Sequence, residues 1–454
     1  MIQLNTSHAA RLAGGRIEGE DRDYQITSVV VDSRKARAGS LFFALKGQST
    51  DGHKFLADAY SNGARVAVTS EVDPSFEGCQ IVVQDTFEAL QNMARGYMEM
   101  FDLPVLAVTG SSGKTTTKDI LSSALSLKYN VAKTQGNLNS STGVPLSVFN
   151  LDMGHTIAVF EVSMSAPGEI LGNVKIIKPT TALITNIGVA HMEQLGSRQG
   201  IFNAKMEIAS YLTTGDCLIV NADDPFLASI SGKPYQVVGA GVNNGSLQAF
   251  DVSFEGGVSN FKVMVDGKAR QFRFALPGMH MVSNCLLAIA ACLRHGLEPE
   301  QIQAGLDLYS PGEKRMEIEE KSGVKLINDT YNANPDSMKA AIDSLVASTS
   351  NKAILVIGDM YELGPEGPSL ANGVGKYAAS RSISHLFAIG DMANDYIDGF
   401  NEANGSGQAV VFSSYTGLAE ELLSIISKGD AILFKASRGV ALEKAYMVAR
   451  EYFA

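Results

Sequence analysis

The stretch from Val105 to Thr117, VLAVTGSSGKTTT, constrains the fold more than any other part of the chain. An apolar β-forming run enters a glycine turn, and a lysine with three threonines follows where a helix would begin. A strand feeding a helix in this way belongs to an α/β sheet, and the turn has the chemistry of a phosphate cradle. Gly110 and Gly113 let backbone N–H groups close around phosphate oxygens, with Ser111 and Ser112 between them and Thr116 just beyond. Lys114 would meet the β- and γ-phosphates, and the Thr115 hydroxyl would hold Mg²⁺. The common G-x-x-x-x-G-K-[ST] pattern wants glycine where this chain has Val108, so the match is to the shorter T-G-x-x-G-K-T form. ATP is the expected ligand.

At 454 residues the chain exceeds one ordinary core, and a prior of about 150 residues per domain predicts three: residues 1–84, 85–309 and 310–454. Hydrophobic content of 45% with 19% charged residues is that of a globular protein, and no apolar run approaches the ~20 residues of a membrane span. The start of the chain lacks a charged segment followed by a long apolar one, so a cytoplasmic location is expected; a monomer is the separate expectation for its assembly. Cys79, Cys217, Cys285 and Cys292 are scattered and predict buried thiols rather than disulfides or zinc. A net charge of −11 without a Lys/Arg cluster argues against nucleic acid.

The first segment reads as a small α/β unit, with strands at Ser28–Asp32, Gly39–Leu45 and Arg65–Thr69 and a helix at Lys54–Asn62. Ser33 and Arg34 follow the first strand, where amides and a guanidinium could take a diphosphate; a solvated basic turn is an equal alternative. From Thr86 a helix leads into the cradle strand, and strands alternate with helices to about Tyr309 (His155–Val162, Thr180–Ile187, Cys217–Asn221), the pattern of a parallel sheet. Residues 250–274 alternate like an antiparallel insertion with a turn at Asp266-Gly267. Beyond the Ser310-Pro311-Gly312 break, strands at Lys352–Gly358, His385–Gly390, Ala409–Phe412 and Ala431–Lys435 predict a Rossmann-like domain without a dinucleotide fingerprint.

Ligands of open α/β sheets gather beyond the carboxyl ends of strands, which points Glu161, Asn186 and His191 toward the cradle. Glu161 and Thr115 offer the hard oxygens that magnesium prefers, whereas His191 and Lys205, the latter in NAKMEIA on a helix, are less obvious ligands. Each taken alone has an ordinary structural explanation; together with the cradle they suggest a site.

At these residues the chain resembles the Mur ligases along its whole length, and within them the branch that adds D-alanyl-D-alanine. TGSSGKTTTKD matches the family ATP loop, and TQGNLNSSTGVPLS, with Asn137 and Asn139, matches the loop facing a substrate. TNIGVAHMEQLGS and NAKMEIA carry the family histidine and lysine, and LPGMHMVSNCLLAIAA carries Asn284 where the family reads adenine. Arg315 and Asp329 fall at phosphate and ribose positions. NDTYNANPDSM, with Tyr331, Asn332 and Asn334, VIGDMYELG, and KASRG, with Ser437 and Arg438, are the branch-specific stretches; DSRKARAGSLFFALKGQSTDGHKF resembles its UDP-sugar loop. Ser163-Met164-Ser165, Ser112 and the Lys314-Arg315 pair depart from the usual family residues.

The resemblance implies three roles: a UDP-sugar domain, a central ATPase domain, and a C-terminal domain that binds the incoming dipeptide and closes over ATP. It implies two Mg²⁺ ions on Thr115, Glu161, His191 and a carbamylated Lys205. It also implies ligation of D-alanyl-D-alanine to a UDP-N-acetylmuramoyl (UDP-MurNAc) tripeptide through an acyl phosphate, with catalysis resting on Lys114, Glu161, His191 and Lys205. A related ligase adding one amino acid, or a nucleotide-binding protein without catalysis, is the alternative.

Overall fold

The computed structural model describes residues 4–20, 22–47, 50–189 and 192–452. Its chain separates into two compact units. The first holds Met1–Val108, Tyr129–Ala182 and Met206–Asp216; the second holds Thr109–Lys128, Leu183–Lys205 and Cys217–Ala454. Both are α/β, as the alternating pattern predicts.

The first unit contains a five-stranded sheet of β1 (Arg16–Gly19), β2 (Ser28–Val30), β3 (Ser40–Phe43), β4 (Val66–Thr69) and β5 (Cys79–Val82), in the order β1-β5-β4-β3-β2. Only the β1–β5 pair is antiparallel. Strands β3, β4 and β5 are buried throughout, which is what a parallel strand covered on both faces demands. The helix read at Lys54–Asn62 is a 3₁₀ turn, Gly52–Phe55, followed by an α-helix, Leu56–Ser61. Asp51 caps the turn by accepting the His53 N–H. A longer helix, α1 (Thr86–Met98), starts where the Asp85 carboxylate accepts the Phe87 and Glu88 N–H groups.

The same unit carries β6 (Val105–Thr109, all but its last residue), β7 (Val131–Lys133) and β8 (Ile157–Glu161), parallel, with Glu161 opposite Val108. Alongside β6 runs β9 (Thr181–Ile184); Thr180 donates to the Val105 carbonyl at 2.9 Å. Strands β6 and β8 are wholly buried apolar runs that end at Thr109 and Glu161, so the register places the polar residues at the carboxyl ends.

In the second unit β10 (Cys217–Asn221), β11 (Gln236–Gly241), β12 (Leu247–Ser253), β13 (Ser259–Val265) and β14 (Lys268–Phe274) follow in sheet order. The last three pair antiparallel. Asp266 and Gly267 adopt φ of 49° and 73°, the double positive φ of a two-residue hairpin. A six-stranded sheet has the order β15-β16-β20-β17-β18-β19, where β15 is Glu317–Lys321, β16 Val324–Asp329, β17 Ala353–Ile357, β18 His385–Ile389, β19 Gln408–Phe412 and β20 Ala431–Lys435. All but β15 are parallel. Its core includes Ile354, Val356, Phe387, Ile432 and Phe434. Among the described residues no helix is long and apolar enough to cross a membrane, and all four cysteines are buried free thiols.

Helix α2 (Lys114–Leu125) lies against α3 (Met279–Arg294) and the helix Pro299–Asp307. Gly305 permits that second approach, because a Cβ on it would stand 2.2 Å from the Ala124 Cα. Gly305→Ala should therefore lower the urea unfolding midpoint, by an amount corresponding to about 1–3 kcal/mol of overpacking. An unchanged midpoint would contradict this packing.

Candidate functional site

In the second unit, Gly110 has a φ of 151°, and a Cβ there would stand 1.8 Å from the Thr185 Oγ1. Gly113, at φ 77°, is the N-cap of α2 and offers no side-chain acceptor. A Cβ on Gly113 would stand 2.7 Å from the Asn284 Oδ1. Both glycines are thus required by close approach as well as by backbone conformation. An α-helix leaves its first N–H groups without intrahelical partners, and a start without a side-chain cap is suited to an anion. Thr115 is buried and Lys114 folds its ammonium back onto the Gly110 carbonyl at 2.8 Å.

The loop after β9 braces this turn. The Asn186 Oδ1 accepts the N–H groups of Ser111 at 3.0 Å and Ser112 at 2.9 Å, and its Nδ2 donates to the Ser112 Oγ at 2.6 Å. Thr185 donates its hydroxyl to the Ser112 carbonyl, and the Gly188 N–H donates to the Ser111 Oγ at 2.9 Å. Ile187, between them, donates its N–H to Asp224 at 2.8 Å. The sequence points Asn186 toward the cradle, but its bracing role and that of Thr185 arise only from the pairing of remote segments. Asp336 has the same origin: a Cβ on Gly188 would stand 2.2 Å from its Oδ2 and 3.1 Å from the Ser111 Cβ. The start of the helix Pro335–Ser348 is thereby brought to the cradle.

Lys205 sits on the helix Arg198–Met206 and is 2% exposed. Burial first, and then the charge of Lys114, holds its amine well below the usual lysine range. A buried amine kept neutral is the form that reacts with CO₂. His191 lies outside the described residues.

Asp329, at the end of β16, pairs with the buried Lys435 at 2.5 Å, and Lys435 also donates to the Asn332 carbonyl at 2.9 Å. The Arg315 guanidinium lies 3.8 Å from the centre of the Tyr331 ring, and that of Arg438 lies 6.0 Å from it. Asn334 caps its helix, accepting the Ser337 N–H at 2.9 Å. Ser437 is buried; it donates its N–H to the Asp359 carbonyl and its Oγ accepts the Tyr361 N–H at 3.0 Å. Asp359, whose part the sequence leaves unread, also accepts the N–H groups of Asp391 and Met392.

In the first unit, Glu161 ends β8 and is 1% exposed, and its Oε1 accepts from the Asn139 Nδ2 at 2.7 Å. The Glu161 N–H donates to the Thr134 Oγ1 at 3.0 Å. Ser163, one of the departures from the family pattern, donates its hydroxyl to Asn139, so it helps fix the residue that holds Glu161. Asn137 accepts the Asn139 N–H through its carbonyl at 2.8 Å. Ser33 is buried, and its carbonyl accepts from Asn62. Arg34 is exposed and forms a two-point pair with Asp32, at 2.9 and 2.8 Å.

His280, at the start of α3, is held down to about 4 from 6.5, first by burial and then by the charge of Lys435. The unfolded chain takes up this proton near pH 6.5 and the folded chain only near pH 4. The neutral ring therefore contributes stability that is present above the unfolded value and lost as pH falls through the folded one. The shift corresponds to roughly 3 kcal/mol. His280→Gln should lack this loss, so the stability gap between wild type and variant should change across that window; parallel curves would refute it.

Three family models match the chain: "Mur ligase family, catalytic domain" over residues 25–98, "Mur ligase middle domain" over 108–292, and "Mur ligase, glutamate ligase domain" over 314–438. The UDP-N-acetylmuramoyl-tripeptide--D-alanyl-D-alanine ligase of Bacillus subtilis is 36% identical over 450 residues, covering 98% of each chain. A crystal structure of MurF from Acinetobacter baumannii superposes with a TM-score of 0.92 at 31% identity, covering 99% of both chains. MurF ligase from Thermotoga maritima, solved in complex with ADP, gives 0.83 at 27% identity, covering 94% of this chain and 97% of that one.

Proposed function

This chain belongs to the Mur ligase family, and from that premise we propose that it is an ATP-dependent ligase joining D-alanyl-D-alanine to a UDP-MurNAc tripeptide in peptidoglycan synthesis. The observation that carries the reading is the glycine-started helix at Lys114, with no side-chain cap and with its turn braced by Asn186. A carboxylate and an amine do not condense in water. The γ-phosphate therefore passes to the tripeptide's terminal carboxylate, giving an acyl phosphate and ADP. The dipeptide amine attacks the acyl carbon, loses a proton, and phosphate departs with the C–O bond electrons. Catalysis of this kind is mostly positioning and charge stabilisation.

Lys114 would turn its ammonium from its own loop carbonyl to the phosphates, while Ser111, Ser112, Gly113 and Thr116 surround them and Asn284, Arg315 and Asp329 hold the rest of the nucleotide. Thr115, Glu161, His191 and Lys205 as its carbamate would hold two Mg²⁺ ions, which supply neutralising charge to the triphosphate when bound. Taken singly, two of these residues have the chemistry the reading needs: Glu161 is a buried carboxylate, and Lys205 is a buried amine disfavoured as an ammonium by burial and by Lys114. Its nitrogen bonds the carbon of CO₂, a proton leaves, and an anionic oxygen ligand results.

Residues 1–84 would take the UDP-sugar through Ser33 and Arg34, the latter exchanging Asp32 for diphosphate. Residues 85–309 would hold ATP and, through Asn137 and Asn139, face the tripeptide. Residues 310–454 would bind the dipeptide through Tyr331, Asn332, Asn334, Ser437 and Arg438 and close over ATP. The enzyme acts as a cytoplasmic monomer, where ATP and nucleotide-sugar substrates are available.

Phosphate release assayed across UDP-muramoyl peptides and amino donors tests the assignment. Release should require ATP, a UDP-MurNAc tripeptide and D-alanyl-D-alanine together; preference for a dipeptide acceptor and a single amino acid would reject it. Lys114→Ala should cut turnover roughly 100- to 1000-fold while moving stability by less than about 0.5 kcal/mol, measured by steady-state kinetics and thermal unfolding. Near-normal turnover would exclude the phosphate role. Lys205→Ala should keep less than about a tenth of wild-type turnover, a loss above roughly 1.4 kcal/mol. A short carboxylic acid added to the assay should partly restore it, and a fully active variant would remove the carbamate from the account.

A further inference from the structure

Arg315 and Arg438 come from segments more than a hundred residues apart, yet they share the Tyr331 ring. Among the described residues neither forms an ion pair with a carboxylate. A guanidinium stacked on an aromatic face keeps its N–H fork free at the edges for a planar or tetrahedral anion. The main chain that carries the tyrosine is held from both sides. Its N–H donates to the Lys314 carbonyl at 3.1 Å, and the carbonyl of its neighbour Asn332 accepts from the buried Lys435.

The linker arginine is held as firmly. Lys314 and Met316, which flank it, adopt φ of 58° and 48°, the left-handed region that non-glycine residues enter at a cost. Lys314 is pinned there by an ion pair to Glu443 at 2.8 Å, and the Met316 N–H donates to Asp329 at 3.3 Å. The other arginine follows Ser437, which is tied to Asp359 and Tyr361. Two independently anchored loops therefore deliver two cations to one ring.

We infer that Tyr331, besides its proposed contact with the dipeptide, positions the nucleotide-side Arg315 and the dipeptide-side Arg438 together, so that binding of one anionic ligand aids the other. This rests on the proposed ligase function, which assigns Arg315 to ATP and Arg438 to the dipeptide. An anion held by either guanidinium fixes that guanidinium against the shared ring, and so places the ring for the other guanidinium before the second anion arrives. The favourable coupling is then felt at the second site, and by linkage it is reciprocal.

Steady-state kinetics on the full chain test this. Tyr331→Leu should raise the KM for both ATP and D-alanyl-D-alanine by about fivefold to tenfold, the scale of one stacked cation, with the KM for the UDP-tripeptide within twofold of wild type. Tyr331→Phe, which keeps the ring, should restore both. The exposed Arg438→Ala should raise the ATP KM as well as the dipeptide KM in the wild-type background, and should leave the ATP KM unchanged when added to Tyr331→Leu. A rise confined to one substrate, a failure of Tyr331→Phe to restore, or an Arg438→Ala effect on the dipeptide alone would overturn the coupling while leaving the ligase function intact. A wild-type enzyme that does not turn over the dipeptide with ATP would reject the function and the coupling with it.

Discussion

The first N–H groups of an α-helix have no partners within the helix, and a phosphate is among the few ligands that satisfy several of them at once. In this chain the helix Lys114–Leu125 begins after a glycine that offers no capping side chain. The consequences spread outward. Gly113 must remain a glycine because Asn284 lies against it, and Gly110 because Thr185 does. Asn186 must supply acceptors to Ser111 and Ser112 so that the turn keeps its shape. The helix is in turn seated on two others, one through Gly305.

A second constraint is electrostatic. Lys114 and Lys205 feel one another's charge, and Lys205 is almost wholly buried. Two ammonium groups in such surroundings are costly, and the structure relieves the cost by disfavouring the proton on Lys205. A carbamate at that position would convert the repulsion to attraction. The carboxylate of Glu161 shows the opposite economy of design: it is buried yet engaged by Asn139, which Ser163 holds in turn.

The contiguous parts of this molecule were legible in its sequence. Strands such as Cys217–Asn221 and Ala431–Lys435 read correctly to the residue because they are short apolar runs bounded by polar turns. The hairpin at Asp266-Gly267 declares itself through the residues its positive φ values require. The strand Arg16–Gly19 is mostly exposed and mixed in polarity, so it carries no apolar signal, and Gln236–Gly241 ends in glycine and alanine. The expected helix Lys54–Asn62 is split because Asp51 caps a 3₁₀ turn ahead of it. The cradle glycines, Lys114, Glu161 and Lys205 sit in short contiguous motifs, which is why they could be proposed from the sequence. The braces Thr185 and Asp359, and the approach of Asp336 to Gly188, join segments far apart in sequence, and no local pattern marks them.

The claim on which the rest stands is that ATP activates a carboxylate through an acyl phosphate. The most direct measurement is a single-turnover ligation with a UDP-MurNAc tripeptide whose terminal carboxylate is labelled with ¹⁸O, followed by mass analysis of the phosphate released. The account predicts that one labelled oxygen passes from the carboxylate to phosphate for each amide bond formed. Unlabelled phosphate alongside ligated product would contradict it.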